Sequence, residues 1–600
     1  MSTNKSKFSR RQFLRAAGLT AAGASIAACA PQTVVVTQEV VKEVEVPVEV
    51  VKEVEVAVTP TLPPALVTAQ GRELPADAAA LDRQVLHEGY EERRHFDAAR
   101  DVYSGYGLNA GIEPMLRRDQ NQKLVPAVAE SWTPGPENAY WDFKIREGAQ
   151  WSDGMPITPD DWVYTFNHIS NPKLANPWVW FFYDIKGVKA HAEGKAGPEG
   201  IGVEKIDDRT VRIHGEAPIP HLPGLMAYQN AGPVPKHVAE ANPEHWADSP
   251  ETYVASGQFV PTEWVHDTRL VWELNTKYNG PHKPGFQRNV NRLSSGFNSW
   301  LNAEIDWISG MDIATLSFVR ADPRLNALLR FFNNFQTEYL AFDTMNKPLD
   351  NVDLRKALIH SIDRETMCFQ VMAGTFVPGY SMLPPGFPGF NPDLKKAQDY
   401  NVELAKEHLA KAGYTDGKDS SGNQLSLDLY ANARDARMEF VQEQWQTNLG
   451  IKVNLIMVEG SVWGEKRANH EMQIYKGPYE YDYLDPANML TMLWKSTSDK
   501  GSPRHAWKND KFDQLVTDAP KETDEAKRIA MYQDSEKVLV DEDPGAAFIT
   551  HNVIFQIWWP YITGIPADDA GNVVWRYLDL TRFQAYMRND ENQWRTGPLE

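Results

Sequence analysis

Residues 141–166 read WDFKIREGAQWSDGMPITPDDWVYTF and predict a strand, a turn and a helix in succession. Alternating residues at the start are typical of a strand. Asp153-Gly154 predicts a tight turn, and the segment from Thr158 onward predicts a helix that begins with a capping residue. We assign Trp151, Asp153 and Gly154 to the fold and not to a binding site, because Asp-Gly makes the turn and the tryptophan packs.

Further along the chain, helical and strand patterns alternate. Apolar residues recur at helical spacing in residues 350–367, 402–412 and 438–449, with Asp350 as a plausible cap of the first helix. Short apolar runs at residues 425–429 and 451–458, before and after the last of these helices, predict strands. Strands that alternate with helices predict an α/β fold with a parallel or mixed sheet.

Length and charge narrow the class of protein. A chain of 600 residues exceeds the size at which one hydrophobic core keeps growing, so two or more lobes are expected. The net charge is −20, and removal of residues 1–28 leaves 56 Lys and Arg against 81 Asp and Glu. Nucleic acid is therefore not expected as a partner, because its phosphates need a basic face.

The amino terminus is typical of an export signal. A positive start that includes Arg10 and Arg11 precedes an uncharged apolar run at residues 16–28, which is the pattern of a signal peptide. This run is shorter than the roughly 20 residues of a membrane span. Arg10-Arg11 resembles the twin-arginine motif, and the segment that ends at Cys29 resembles a lipobox. The sequence leaves open the twin-arginine or the general secretory route.

A biased segment follows Cys29. VVKEVEV at residues 40–46 returns as VVKEVEV at residues 50–56, and prolines interrupt the alternation. One isolated alternating ribbon has no second layer that could bury its valines. We therefore expect residues 29–78 to form an extended tether. Cys368 is then the only cysteine left for the body, and it is expected to be a small buried residue.

Several blocks together resemble one family. They are LVPAVAESW at 124–132, the segment 141–166, EYLAFDTMNKP at 338–348, LAKEHLAKAGY at 404–414 and YDYLDP at 481–486. The chain resembles the family 5 extracellular solute-binding proteins of ABC importers, the oligopeptide- and dipeptide-binding group, over roughly residues 85–590.

The resemblance implies a fold and a set of boundaries. The fold is α/β and two-lobed, like the large type II periplasmic binding proteins with an extra subdomain, with mixed sheets and a hinge that the chain crosses twice. The implied ranges are 1–28 for the signal peptide, 29–78 for the lipidated tether, 79–336 for lobe 1, 337–549 for lobe 2 and 550–600 for the return to lobe 1. Ligand binding closes such a hinge.

The resemblance also implies a ligand site. The aspartate at the position of Asp482 pairs with the α-ammonium of a bound peptide in the peptide-binding members. The alternative is that Asp482 only caps the turn before Asp485-Pro486. The aromatic residues expected to line pockets beside it are Tyr479, Tyr481, Tyr483 and Trp463. The aromatic run at residues 177–183 is assigned to the core, with part of it able to face the cleft.

The implied function is capture of peptides outside the cell by a lipid-anchored monomer that delivers them to an ABC importer permease. An oligosaccharide receptor is the alternative within binding proteins, because 19 tryptophans suit stacking on sugar rings. A secreted hydrolase is the alternative among enzymes, although neither a G-x-S-x-G nor an H-E-x-x-H motif is present. No cofactor or metal is expected. The expected location is the outer face of the cell membrane, in the periplasm or at the cell surface.

Overall fold

The structure is a computed structural model of the chain, and it describes residues 66–89, 92–93, 95–97, 100, 111–293, 296–498, 506–566 and 584–589. Arg10, Arg11, Cys29 and the first part of the predicted tether lie outside these residues. Within the described part of the chain, no helix has both the length and the apolar character to cross a bilayer.

Residues 66–78, which the sequence placed in the tether, belong to the folded body. The Gln70 side-chain amide donates to the carbonyl oxygens of Gln258 and Asn275 at 2.7 and 2.9 Å. Leu74 is buried and forms a small cluster with Ala78 and Tyr586. These long-range contacts require a fixed backbone, so the body begins before residue 79, and the expectation of a tether that reaches residue 78 is corrected here.

The strands are, in chain order, β1 (Val85–Gly89), β2 (Leu116–Arg118), β3 (Leu124–Pro126), β4 (Ala129–Pro134), β5 (Tyr140–Ile145), β6 (Val203–Lys205), β7 (Thr210–His214), β8 (Phe259–Val265), β9 (Arg269–Leu274), β10 (Arg288–Arg292), β11 (Trp307–Ser309), β12 (Arg330–Phe342), β13 (Phe376–Pro378), β14 (Ser426–Ala431), β15 (Lys452–Met457), β16 (Ile474–Glu480), β17 (Ala546–Trp558), β18 (Ile562–Thr563) and β19 (Tyr586–Met587).

The helices are, in chain order, α1 (Pro159–Ile169), α2 (Val188–Ala192), α3 (Leu222–Leu225), α4 (Lys236–Ala239), α5 (Phe297–Leu301), α6 (Ile313–Ala321), α7 (Pro323–Leu328), α8 (Val352–His360), α9 (Arg364–Thr366), α10 (Lys395–Gln398), α11 (Val402–Lys411), α12 (Ala436–Leu449), α13 (Gly460–Ala468), α14 (Pro486–Met489), α15 (Thr491–Trp494), α16 (Asp510–Asp518) and α17 (Glu525–Lys537).

The strands form mixed sheets, as predicted. Two four-stranded sheets have the orders β1-β10-β9-β8 and β4-β5-β7-β6. A seven-stranded sheet has the order β11-β17-β12-β16-β14-β15, with β13 also paired to β17. In this sheet β14 pairs parallel with β15 and β16, whereas β12 pairs antiparallel with β16 and β17. The predicted α/β class with mixed sheets is confirmed.

The segment that opened the sequence analysis folds as predicted. Gly154 takes a positive φ of 92° in the turn, a conformation that favours glycine. Thr158 and Asp161 form a reciprocal capping box at the start of α1. Trp151 and Trp162 are fully buried, so this unit belongs to the core, as the sequence indicated.

The helix predicted at residues 350–367 is divided in two. Helix α8 begins after Asn351, whose side chain accepts hydrogen bonds from two backbone amides, so Asn351 and not Asp350 is the cap. Helix α8 ends at His360. A new helix, α9, begins where the Asp363 side chain accepts a hydrogen bond from the amide of Thr366. A second capping residue inside an apolar pattern therefore interrupts the helix. Cys368 is buried, as predicted.

Two long strands run between two cores. Near one end, Val553 and Phe555 of β17 pack with Leu316 of α6. Near the other end, Tyr339 of β12 and Phe548 of β17 pack in a cluster with residues of α15 and α17. The register shifts between the Asn333 and Thr337 pairs, which lies between these two ends. The lobe boundaries at 336/337 and 549/550, within these strands, stay a prediction.

Candidate functional site

Asp482 lies in a turn that follows β16, and two neutral side chains hold its carboxylate. The Tyr479 hydroxyl donates to Asp482 Oδ2 at 2.5 Å. The Asn488 side-chain amide donates to the same oxygen at 3.2 Å, and Asn488 Oδ1 accepts from the Asp482 amide at 2.9 Å. Asn488 is fully buried, so the orientation of the Asp482 carboxylate is fixed from within the protein.

We call the pair of side chains that holds the Asp482 carboxylate, Tyr479 and Asn488, the Asn488 clamp. The start of α14 sets the position of Asn488. Asp485 caps α14 through the amide of Ala487, and Pro486 occupies the first helical position, where its missing N–H costs nothing. Arg528 of α17 pairs with Asp485 at 2.7 Å. Asp485 is therefore the cap of this helix.

Tyr483 joins the turn to the opposite core. Its ring stacks on His221 with centroids 4.9 Å apart and planes 10° apart, and it meets Phe181 edge-on at 6.0 Å. Tyr483 belongs to a buried cluster made otherwise of residues between Met115 and Ala231. Burial raises the pKa of Tyr483 well above its usual value, so the phenol stays neutral.

An ion pair flanks this stacked pair of rings. His221 Nε2 lies 3.0 Å from Asp184 Oδ2. Loss of water around the carboxylate acts to raise the pKa of Asp184. The hydrogen bond with His221 and the charges of His221 and Lys495 outweigh this effect, so the pKa is lowered. Asp184 is therefore an anion at neutral pH, and the charge of Lys495 contributes to stabilising it.

The other predicted aromatic residues occupy two different places. Tyr481 meets Phe335 and Phe387 edge-on at 5.3 and 5.9 Å, so it lies against the seven-stranded sheet. Trp463 lies apart on α13, where its ring meets Tyr475 at 6.3 Å. The structure thus brings Tyr479, near the end of β16, into contact with Asp482 in the turn that Tyr483 also occupies, whereas Tyr481 packs against Phe335 and Phe387.

A buried ion cluster beside β12 and β16 was not predicted. Arg437 pairs with Glu338 and with Asp435, and Lys476 lies 2.7 Å from Asp435. The Arg437 guanidinium also lies over the ring of Phe376, 4.2 Å from its centroid. Burial acts to raise the pKa of Asp435, but hydrogen bonds from Arg437 and Lys476 hold it far below its usual value. The cluster is balanced, with two acids and two bases.

Neither this cluster nor the Asn488 clamp has a local sequence signal. Glu338 and Arg437 are separated by 99 residues, and Asn488 is one polar residue in a short helix. Phe181 could have been singled out, because it lies in the aromatic run at residues 177–183. Among the residues that the structure describes, no group of three or more His, Cys, Asp or Glu side chains is arranged to hold a metal ion.

Comparison with known proteins gives the family. The model of the bacterial extracellular solute-binding proteins, family 5, matches residues 123–501. The oligopeptide-binding protein OppA of Bacillus subtilis is 28% identical over 75% of this chain and 84% of its own length. The probable deoxycholate-binding periplasmic protein YgiS of Escherichia coli is 27% identical over 77% and 86%.

Solved structures agree. The murein tripeptide-binding protein MppA in its unliganded open form superposes with a TM-score of 0.72 at 25% identity, over 86% of this chain and 99% of that one. This confirms the two-lobed fold that the sequence predicted. The chain belongs to the bacterial extracellular solute-binding proteins of family 5.

Proposed function

We propose that this protein captures peptides outside the cell and delivers them to an ABC importer, with Asp482 as the anchor of the peptide ammonium. The observation that carries the proposal is the Asp482 carboxylate, which Tyr479 and Asn488 hold in a turn whose next residue packs on the opposite core. Relatives named as oligopeptide-binding proteins support it.

The chemistry of an ammonium explains the need for this arrangement. A closed cleft removes water from the charge, and an unpaired buried charge is costly. A fixed carboxylate offsets that cost by a charge-assisted hydrogen bond. Tyr479 and Asn488 fix the orientation of the Asp482 carboxylate, so a ligand ammonium meets an acceptor that is already in place. Tyr483 links the anchor to the core around His221, so binding and the approach of the two lobes are coupled.

The export route and anchoring belong to the same proposal. A signal peptide with Arg10 and Arg11, followed by lipidation of Cys29, places the protein on the outer face of the membrane, in the periplasm or at the cell surface. The tether then separates a monomeric body from the bilayer, within reach of a permease. Mass spectrometry of the membrane and soluble fractions tests this step. The unsubstituted protein is expected in the membrane fraction with the added diacyl mass, and a Cys29→Ser variant is expected in the soluble fraction without it.

The competing ligands differ in charge from a peptide ammonium. An oligosaccharide is neutral and deoxycholate is an anion, so neither supplies a cation for Asp482. A hydrolase is not favoured by membership of a binding-protein family. The carboxylate in the turn therefore favours an amine-bearing ligand over the sugar alternative.

Native mass spectrometry of the purified protein tests the proposal. We expect a set of co-purifying peptide masses, which the Asp482→Asn substitution removes while Asn423→Ala, an exposed site, retains them. A ladder spaced by sugar units that is indifferent to Asp482→Asn would overturn the proposal.

A further inference from the structure

A ledge of aromatic side chains lies beside the candidate site. It consists of Trp178, Trp180, Phe181 and Tyr228, and we call it the aromatic ledge. Phe181 is buried, and its ring meets those of Trp178, Trp180 and Tyr228 at 6.4, 6.0 and 5.0 Å. The other three rings are only partly buried, so each keeps a surface that solvent or a ligand can reach.

The ledge connects directly to the turn that carries Asp482. Phe181 also meets Tyr483 edge-on at 6.0 Å, and Tyr483 follows Asp482 in the chain. One buried ring thus separates the residue next to the anchor from three partly exposed rings. Phe181 and Phe182 are 3% and 0% exposed and belong to the core. Trp178 and Trp180 pack against this core, and part of each ring stays accessible.

We propose that the aromatic ledge seats an apolar or aromatic side chain within the first few residues of the bound peptide. This inference rests on the proposed function, because it takes the peptide ammonium to lie at Asp482. An extended peptide advances about 3.3–3.6 Å per residue. Its second to fourth residues therefore span rings whose centroids are 5.0 to 6.4 Å apart. The ligand class is therefore peptides with a free amino terminus followed by apolar residues.

The chemistry of the ledge selects against negative charge. Its four side chains carry no formal charge and present the negative faces of aromatic rings, so an anionic ligand side chain placed there loses water without gaining a counter-charge from them. An apolar side chain removes its own surface and that of the rings from water, and an aromatic one adds edge-to-face contacts. The charge of Asp184, whose partner His221 stacks on Tyr483, is already matched by that histidine.

Calorimetry with the full chain and three free-amine tripeptides tests the inference. We expect Ala-Phe-Phe to bind roughly tenfold or more tightly than Ala-Ala-Ala or Ala-Glu-Glu. Trp180→Ala is expected to abolish this preference and Trp180→Phe to keep most of it. Tyr400→Ala, which removes an exposed ring elsewhere, is expected to leave it unchanged. If Trp180→Ala does not fold by circular dichroism, Trp178→Ala replaces it.

The possible outcomes separate the two proposals. Equal binding of all three peptides by the unsubstituted protein would overturn the role of the ledge and leave the proposed function standing. Failure of every peptide to bind would overturn both. Binding of deoxycholate without peptide, lost in Trp180→Ala, would also overturn both, because the ledge would then serve an anionic sterol and not a peptide.

Discussion

His221 and Tyr483 stack with ring centroids 4.9 Å apart, and they come from segments separated by more than two hundred and fifty positions in the chain. Tyr483 follows the candidate anchor Asp482, whereas His221 precedes α3 and pairs with Asp184. The turn that holds the anchor is therefore also a contact between the two cores of the body. This links the ligand site to the relative position of the two lobes.

Removal of the His221 ring is expected to weaken ligand binding. His221→Ala removes a stacked pair worth about 0.5–1.5 kcal/mol and a partly exposed ion pair worth at most about 1 kcal/mol, which predicts a loss of roughly tenfold in peptide affinity. His221→Phe keeps the ring and is expected to retain most of the affinity. Isothermal titration calorimetry measures both. His245→Ala, another histidine paired with aspartate, serves as the control, and an equal loss there would contradict the role of His221.

Asn488→Ala is expected to weaken both folding and binding. The substitution removes the side-chain acceptor of the Asp482 amide and the donor to the Tyr479 and Asp482 side-chain oxygens, at a cost of about 1–3 kcal/mol in the free energy of unfolding. It also releases the Asp482 carboxylate, so peptide affinity falls. Asn448→Ala is the matched control, because Asn448 donates to the Ser361 carbonyl at 2.9 Å away from the turn. Loss of stability without loss of affinity in Asn488→Ala would show that the clamp does not serve the ligand.

Glu536 is expected to make the protein less stable as pH rises. Burial raises the pKa of Glu536 to about 8 from an ordinary value of 4.5, although the Leu383 amide donates to its carboxylate at 2.7 Å. The folded state therefore holds a proton that the unfolded state loses above pH 4.5. The contribution of Glu536 to the free energy of unfolding is therefore fully present below about pH 4.5. It falls as pH rises toward 8, by up to about 4 kcal/mol.

Glu536→Gln tests this dependence. Urea unfolding between pH 5 and pH 8 is expected to show a flatter profile for Glu536→Gln than for the unsubstituted protein, whereas Glu525→Gln, at an exposed position, keeps the original slope. Identical slopes in all three proteins would contradict a protonated Glu536.

His551 is expected to make the protein less stable as pH falls below about 6.5. The Thr337 hydroxyl donates to the Met382 carbonyl, so it accepts from His551 Nδ1 at 2.9 Å, and the imidazole is neutral. Burial lowers the pKa of His551 to about 3. The unfolded state takes up a proton below about pH 6.5 and the folded state does not, so stability present above that pH is lost as pH falls toward 3. His551→Asn keeps a donor near Nδ1 and is expected to flatten this limb in a urea titration that extends from pH 7 down to pH 3. An unchanged acid limb would show that other groups control it.

Much of the fold could be predicted from local patterns. The capped helix after residue 157, the Asp153-Gly154 turn and strands β14 and β15 of the seven-stranded sheet follow from residues close together in sequence. The division of the helix at residues 350–367 was missed, because the capping side chain of Asp363 lies inside a pattern whose apolar spacing continues past it. Residues 66–78 were placed in the tether, since the partners of Gln70, which are Gln258 and Asn275, lie 188 and 205 residues away in the chain.

The candidate site was predictable only at its anchor. Asp482 and its neighbouring tyrosines stand in one motif, and the structure brings Tyr479 and Asp482 into contact. Their roles toward a ligand stay predictions. The partners that give the turn its place, Asn488, His221 and Phe181, depend on how separate segments pack, and single-sequence periodicity carries no information on such packing.

The central claim is that Asp482 binds a peptide ammonium, and a paired calorimetric titration tests it most directly. Ala-Phe-Phe with a free amine and the same peptide N-acetylated are titrated into the unsubstituted protein and into Asp482→Asn. We expect acetylation to abolish most of the affinity in the unsubstituted protein, and to change little in Asp482→Asn, because the charge pair is already lost. Equal binding of the two peptides by the unsubstituted protein would contradict the account.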